Sequence, residues 1–110
     1  MSYSVRTLRR ARQEIASIGR WYLERSSDHE VAEKWLHGME NLIHSLVDHP
    51  HRGSIARESA EFDETIYEVL YGSGRRKTHR VLFRVIEEEN LIEIIGVRHH
   101  SQRDLTPDDI

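Results

Sequence analysis

The chain has 110 residues, with 16 lysines and arginines, 19 aspartates and glutamates, eight histidines and no cysteine, for a formal net charge of −3 at pH 7. This size suits one domain, residues 1–110, and the lack of cysteine excludes a disulfide scaffold or thiolate metal site and fits a reducing compartment. The acidic balance speaks against a general nucleic-acid coat protein, and no segment resembles a signal peptide or reaches the roughly 20 apolar residues of a membrane span, so the cytoplasm is the expected location.

YSVRTL, from Tyr3 to Leu8, alternates and reads as a short strand. Leu8, Ala11, Ile15, Ile18 and Tyr22 then recur at spacings of three and four, one stripe of an amphipathic helix running to about Arg25. Ser27 and Glu30 form S-x-x-E, which predicts a capping box for a second helix. That helix carries Val31, Trp35, Met39, Leu42, Ile43 and Leu46 on one face and must end before Pro50. The short link predicts an antiparallel helical hairpin. Trp21, Tyr22 and Trp35 read as aromatic packing between the helices and a sheet.

His51 to Glu64 is polar and irregular. From Thr65 the period changes to two, and TIYEVLY, THRVLFRVI and NLIEIIGV read as three strands with short links, an antiparallel meander. NLIEIIGV is apolar on both faces except at Glu93 and reads as the central strand. The order is β-α-α-β-β-β, an α+β domain with a helical hairpin on one face of an antiparallel sheet.

Charge is unevenly spread. Arg75, Arg76, Lys77, Arg80 and Arg84 fall in a ten-residue stretch without an acid, and Arg98, His99, His100 and Arg103 follow the last strand. Acids gather at Glu58–Glu64, Glu87–Glu89 and Asp104–Asp109. Gly72 to Lys77 lacks P-loop spacing and reads as a hairpin tip able to touch a phosphate backbone or an acidic partner. His37, Glu40 and His44 share a helix face, but a metal there would want a stronger third ligand and a second shell, so no metal and no cofactor is expected.

Together these pieces resemble the RelE/ParE superfamily of bacterial toxins from type II toxin–antitoxin modules. The resemblance covers nearly the whole chain. It is carried by the Y-x-V opening strand, the A-x3-I-x2-I-x3-Y helix stripe, and S-L-x3-P (Ser45, Leu46, Pro50) followed by Gly53. H-R-V-L-F-R-V (His79 to Val85), I-x-V-x-H (Ile95, Val97, His99) and R-D-L (Arg103 to Leu105) complete it.

The resemblance implies a toxin neutralised by a cognate antitoxin in a hetero-oligomer, and two branches. A RelE-like chain cuts mRNA on the ribosome without a metal. That chemistry needs a base for the 2′-hydroxyl, an acid for the leaving oxygen and cations for the charged transition state. Arg80 matches the family arginine, Arg84 shares its strand face, and His99 and His100 supply titratable groups. The lysines that RelE-like nucleases carry are Glu68 and Leu70 here, and Thr106 stands near the place of their tyrosine. A ParE-like chain poisons DNA gyrase and needs a gripping surface, for which Arg75, Arg76, Lys77, Arg98 and Arg103 are candidates. Chain length, the long hairpin and the H-x3-R-D ending favour the ParE-like branch. A third reading is a binding module that keeps the fold without toxicity.

Overall fold

The computed structural model describes residues 2–72 and 77–110. Strand β1 (Ser4–Thr7) leads into helices α1 (Arg9–Ser26) and α2 (His29–Ser45), and β2 (Ser54–Ile55), β3 (Tyr67–Tyr71), β4 (His79–Ile86) and β5 (Leu91–His99) follow. They form one sheet in the order β1-β5-β4-β3-β2. The β3-β4-β5 meander is antiparallel, as its short links require, and β1 joins β5 in parallel, so the sheet is mixed. The chain between β1 and β5 is long enough for the crossover that a parallel pair needs, and the hairpin provides it. The two-residue β2 is too short to show any period in the sequence.

The helical stripe is realised. Ala11, Trp35, Met39, Ile43 and Leu46 pack against Val69, Val81, Phe83, Ile92, Ile94 and Val97 on one side of the sheet. The start of α2 differs from expectation. Ser27 has φ 55°, in the left-handed region, and ends α1 with its N–H on the Leu23 carbonyl. Asp28 is the N-cap instead, its carboxylate accepting the Glu30 N–H at 2.9 Å. Ser27 is spent closing one helix, and a carboxylate suits the positive end of the next. Gly38 is needed where α2 crosses β3, because a Cβ there would collide with the Tyr71 hydroxyl, which donates to the Trp35 carbonyl at 2.8 Å.

The other side of the sheet is also covered. Ala56, Ile66, Leu82, Ile95 and Leu105 form a second, smaller core under the 56–66 loop and the C-terminal segment. That is why β5 is apolar on both faces. A bulge breaks the β4–β5 register. Leu82 pairs with Gly96 and Phe83 with Ile94, leaving Ile95 as the extra residue. Because of it, Glu93 and Arg98 lie on the same outer face, paired with Arg84 and Arg80 respectively. No helix among the described residues is long and apolar enough to cross a membrane.

Candidate functional site

β4 alternates without interruption, so Arg80 and Arg84 share the outer face, as the period of two implies. Both are spoken for. Arg80 is 3% exposed. Its two terminal nitrogens donate to the Glu58 carboxylate at 2.9 and 2.5 Å, and its Nε to Glu68 at 2.8 Å. Glu58 also accepts the Leu105 N–H at 3.3 Å, so the C-terminal segment lies over this pair. Burial alone would push the Glu58 carboxyl up, but the Arg80 hydrogen bonds and backbone N–H groups hold it below the usual carboxylate range. The same hydrogen bonds raise the Arg80 guanidinium above its ordinary value.

Arg84 donates to Glu93 at 2.7 Å and to Glu64 at 2.8 Å. Glu93 is also held by Arg6 of β1, whose Nε lies at 2.9 Å. Burial pushes Glu93 up, and the two arginines more than offset it, leaving its carboxyl below the usual range. Arg98 is 2% exposed and reaches Glu14 of α1 at 3.4 Å, while its Nε has no hydrogen-bond partner among the described residues. Glu14 also accepts the Val97 N–H at 3.0 Å, on the part of β5 that extends past β1. Burial raises the Glu14 carboxyl against these contacts. The outer face is therefore a charge lattice in which Arg6, Arg80, Arg84 and Arg98 meet Glu14, Glu58, Glu64, Glu68 and Glu93.

The histidines open elsewhere. His99 lies on the helix side, its ring 5.5 Å from that of His79, and a groove of about 870 Å³ runs there between α1 and the strand ends. Ile18, Trp21, Tyr22, Val97 and both of these histidines line it. His99 Nδ1 lies 2.7 Å from the Ser101 hydroxyl, and the exposed His100 ring is 4.4 Å from the His99 ring. His79 is buried beside Trp35, 5.3 Å between ring centres, with its Nδ1 2.8 Å from the Thr78 hydroxyl. Burial, with smaller contributions from His99 and His100, pulls its pKa down to about 4.

Arg80 and Arg84 are thus brought to one face, while His99 faces the other side of the sheet. Among the surface candidates, Arg103 is exposed but clasped by both Asp109 oxygens at 2.9 and 2.8 Å. Lys77 is exposed and bonds the Gly72 carbonyl at 3.3 Å, Arg98 is buried, and Arg75 and Arg76 lie outside the described residues. His79 is the titratable group that sequence reasoning passed over. Its signal was its place at the head of β4, where it pairs in register with His99.

A family model described as the ParE toxin of type II toxin–antitoxin system, parDE, matches residues 5–104. Among solved structures, the chain is similar to the chromosomal ParDE system from P. aeruginosa at 18% identity and a TM-score of 0.67, over 88% of this chain and 95% of that one. It is similar to the RelBE2 toxin–antitoxin complex from Mycobacterium tuberculosis at 22% identity and a TM-score of 0.57, over 91% and 100%. A mutant of the E. coli toxin RelE in the free state aligns at 16% identity and a TM-score of 0.58, over 92% and 86%. At these identities the solved structures speak to the fold. No curated protein matches the sequence. With the family model spanning nearly the whole sequence and the fold in agreement, the chain belongs to the ParE toxin family of type II toxin–antitoxin systems, within the RelE/ParE superfamily.

Proposed function

We propose that this chain is a cytoplasmic toxin neutralised by a cognate antitoxin and that, once freed, it inhibits DNA gyrase without cutting RNA. The observation that carries the second half is the state of Arg80. Its Nε edge is held by Glu68 and its terminal nitrogens by Glu58, at 3% exposure. A nuclease would have to offer this cation to the charged oxygens of a phosphodiester, with a base at the 2′-hydroxyl and an acid at the leaving oxygen. Turning Arg80 toward a phosphate would strand a buried Glu58 carboxylate, and Arg84 is tied in the same way to Glu93 and Glu64. The similar ParDE and RelBE structures are toxin–antitoxin assemblies, which supports an antitoxin partner.

The ribosome-dependent nuclease is the second reading, favoured by the His99–His100 pair beside an open groove. In a supercoiling assay on relaxed plasmid, the purified chain should inhibit gyrase at near-stoichiometric amounts, and the antitoxin should relieve it. Normal supercoiling in excess of folded chain would sink the gyrase assignment.

A further inference from the structure

The outward face of the helical hairpin is segregated by charge. α1 carries Arg9, Arg12 and Arg20 on its exposed side with the single exposed acid Glu24, and α2 carries Glu30, Glu33 and Glu40 with the single lysine Lys34, so the two helices differ in net sign. No ion pair joins the two helices among the described residues, and Arg12, Arg20 and Glu33 have no ion-pair partner there; Glu40 has only a 3.9 Å contact with His44. Between the two rows lies a groove of about 420 Å³, floored by Ile15, Ala16, Gly19, Leu23, Ala32 and Leu36. Gly19 sets the level of one helix against the other, since its missing Cβ would touch Leu36 at 3.0 Å. This contrasts with the outer sheet face, where the cations are matched within the chain.

We propose that this face binds a second copy of the same chain, in a two-fold dimer whose axis runs along the groove. The symmetry lays α1 of each copy over α2 of the other. From the Gly19–Leu36 level and a rise of about 1.5 Å per residue, Arg20 then lies within about 3 Å along the axis of Glu33 in the second copy, and Arg12 within about 5 Å of Glu40. Both gaps are short enough for these long side chains to span. The face is self-complementary, which an isologous interface requires. A nucleic acid is disfavoured as occupant because the acidic row beside the arginines would repel phosphates. At about 27 Å long and about 20 Å wide the face offers about 500 Å² per copy, below the usual specific interface. The dimer should therefore be of micromolar strength and weaken in salt.

Sedimentation equilibrium of the chain tests this. The native chain should dimerise at tens of micromolar in low salt and dissociate in high salt. The double variants Arg12→Glu with Arg20→Glu, and Glu33→Lys with Glu40→Lys, should each be folded monomers, since all four sites are exposed. An equimolar mixture of the two variants should regain the dimer, because each α1 then meets an α2 of opposite charge. A native chain that stays monomeric, a dimer indifferent to both reversals, or a mixture that stays monomeric would each overturn the proposal. If the native chain is monomeric and added antitoxin slows hydrogen exchange along Arg12–Arg20, the occupant is the antitoxin and not a second copy.

Discussion

Arg80→Ala should lower the stability of the fold by about 3–5 kcal/mol, the usual cost of leaving one member of a buried ion pair alone. The side chain of Glu58 is fully buried, and with Arg80 gone it keeps only backbone donors such as the Leu105 N–H. Glu68 is less affected, because its side chain is partly exposed. The loss should therefore shrink as the pH is lowered and Glu58 protonates. Removing both charges should be much milder: Arg80→Met with Glu58→Leu replaces the pair by packed apolar groups, and such exchanges are often close to neutral. Urea denaturation of the two single variants and the double variant measures the coupling. Additive losses would mean that the pair is not a unit. A loss of toxicity in Arg80→Ala alone is then explained by unfolding, so the double variant is the one whose toxicity is informative. If folded Arg80→Met/Glu58→Leu still arrests growth, Arg80 has no catalytic task.

Acid should destabilise the native chain well above the range where carboxylates normally titrate. The unfolded chain takes up a proton on His79 near pH 6.5, whereas the folded chain does so only near pH 4. Between those values the unfolded state binds more protons, so stability falls as the pH falls, by up to about 3 kcal/mol from this group. Glu14 works in the opposite direction. Its carboxyl is raised by burial, and its protonation returns some stability as the pH drops. Glu58 and Glu93 are held below their usual range, so their contribution is present above about pH 4.5 and is lost only as the pH falls further. Urea midpoints at pH 7, 5.5 and 4.5 should show a steep decline in the native chain and a shallower one in His79→Gln. An unchanged slope in that variant would show that His79 is not the group responsible.

The elements were legible where the period was long and clean. The stripe Ala11, Ile15, Ile18 and Tyr22 gave α1, and the alternating HRVLFRV gave β4 with both of its arginines on one face. The lattice around those arginines was not legible. Its acids come from a 3-10 helix at Glu58, a loop at Glu64 and two neighbouring strands at Glu68 and Glu93, and only the register says which charge meets which. Arg98 is the sharpest case. In the sequence it follows the last strand and reads as a candidate for a gripping surface, but the extra residue Ile95 places it on the outer face, where it is buried. The Ser27 capping box failed for a local reason, since the same serine is needed to end α1. The charge contrast between the rows on α1 and α2 was present in the sequence, yet it acquires meaning only with the observation that, among the described residues, no ion pair joins the two helices and Glu40 has only its contact with His44.

The most direct test of a non-hydrolytic toxin is primer extension on a translated mRNA, taken from cells arrested by brief induction of this chain. Intact transcripts in arrested cells are the expected result, since Arg80 and Arg84 are bound to carboxylates and His99 faces the other side of the sheet. New 5′ ends within codons would contradict the account and make the chain a ribosome-dependent nuclease.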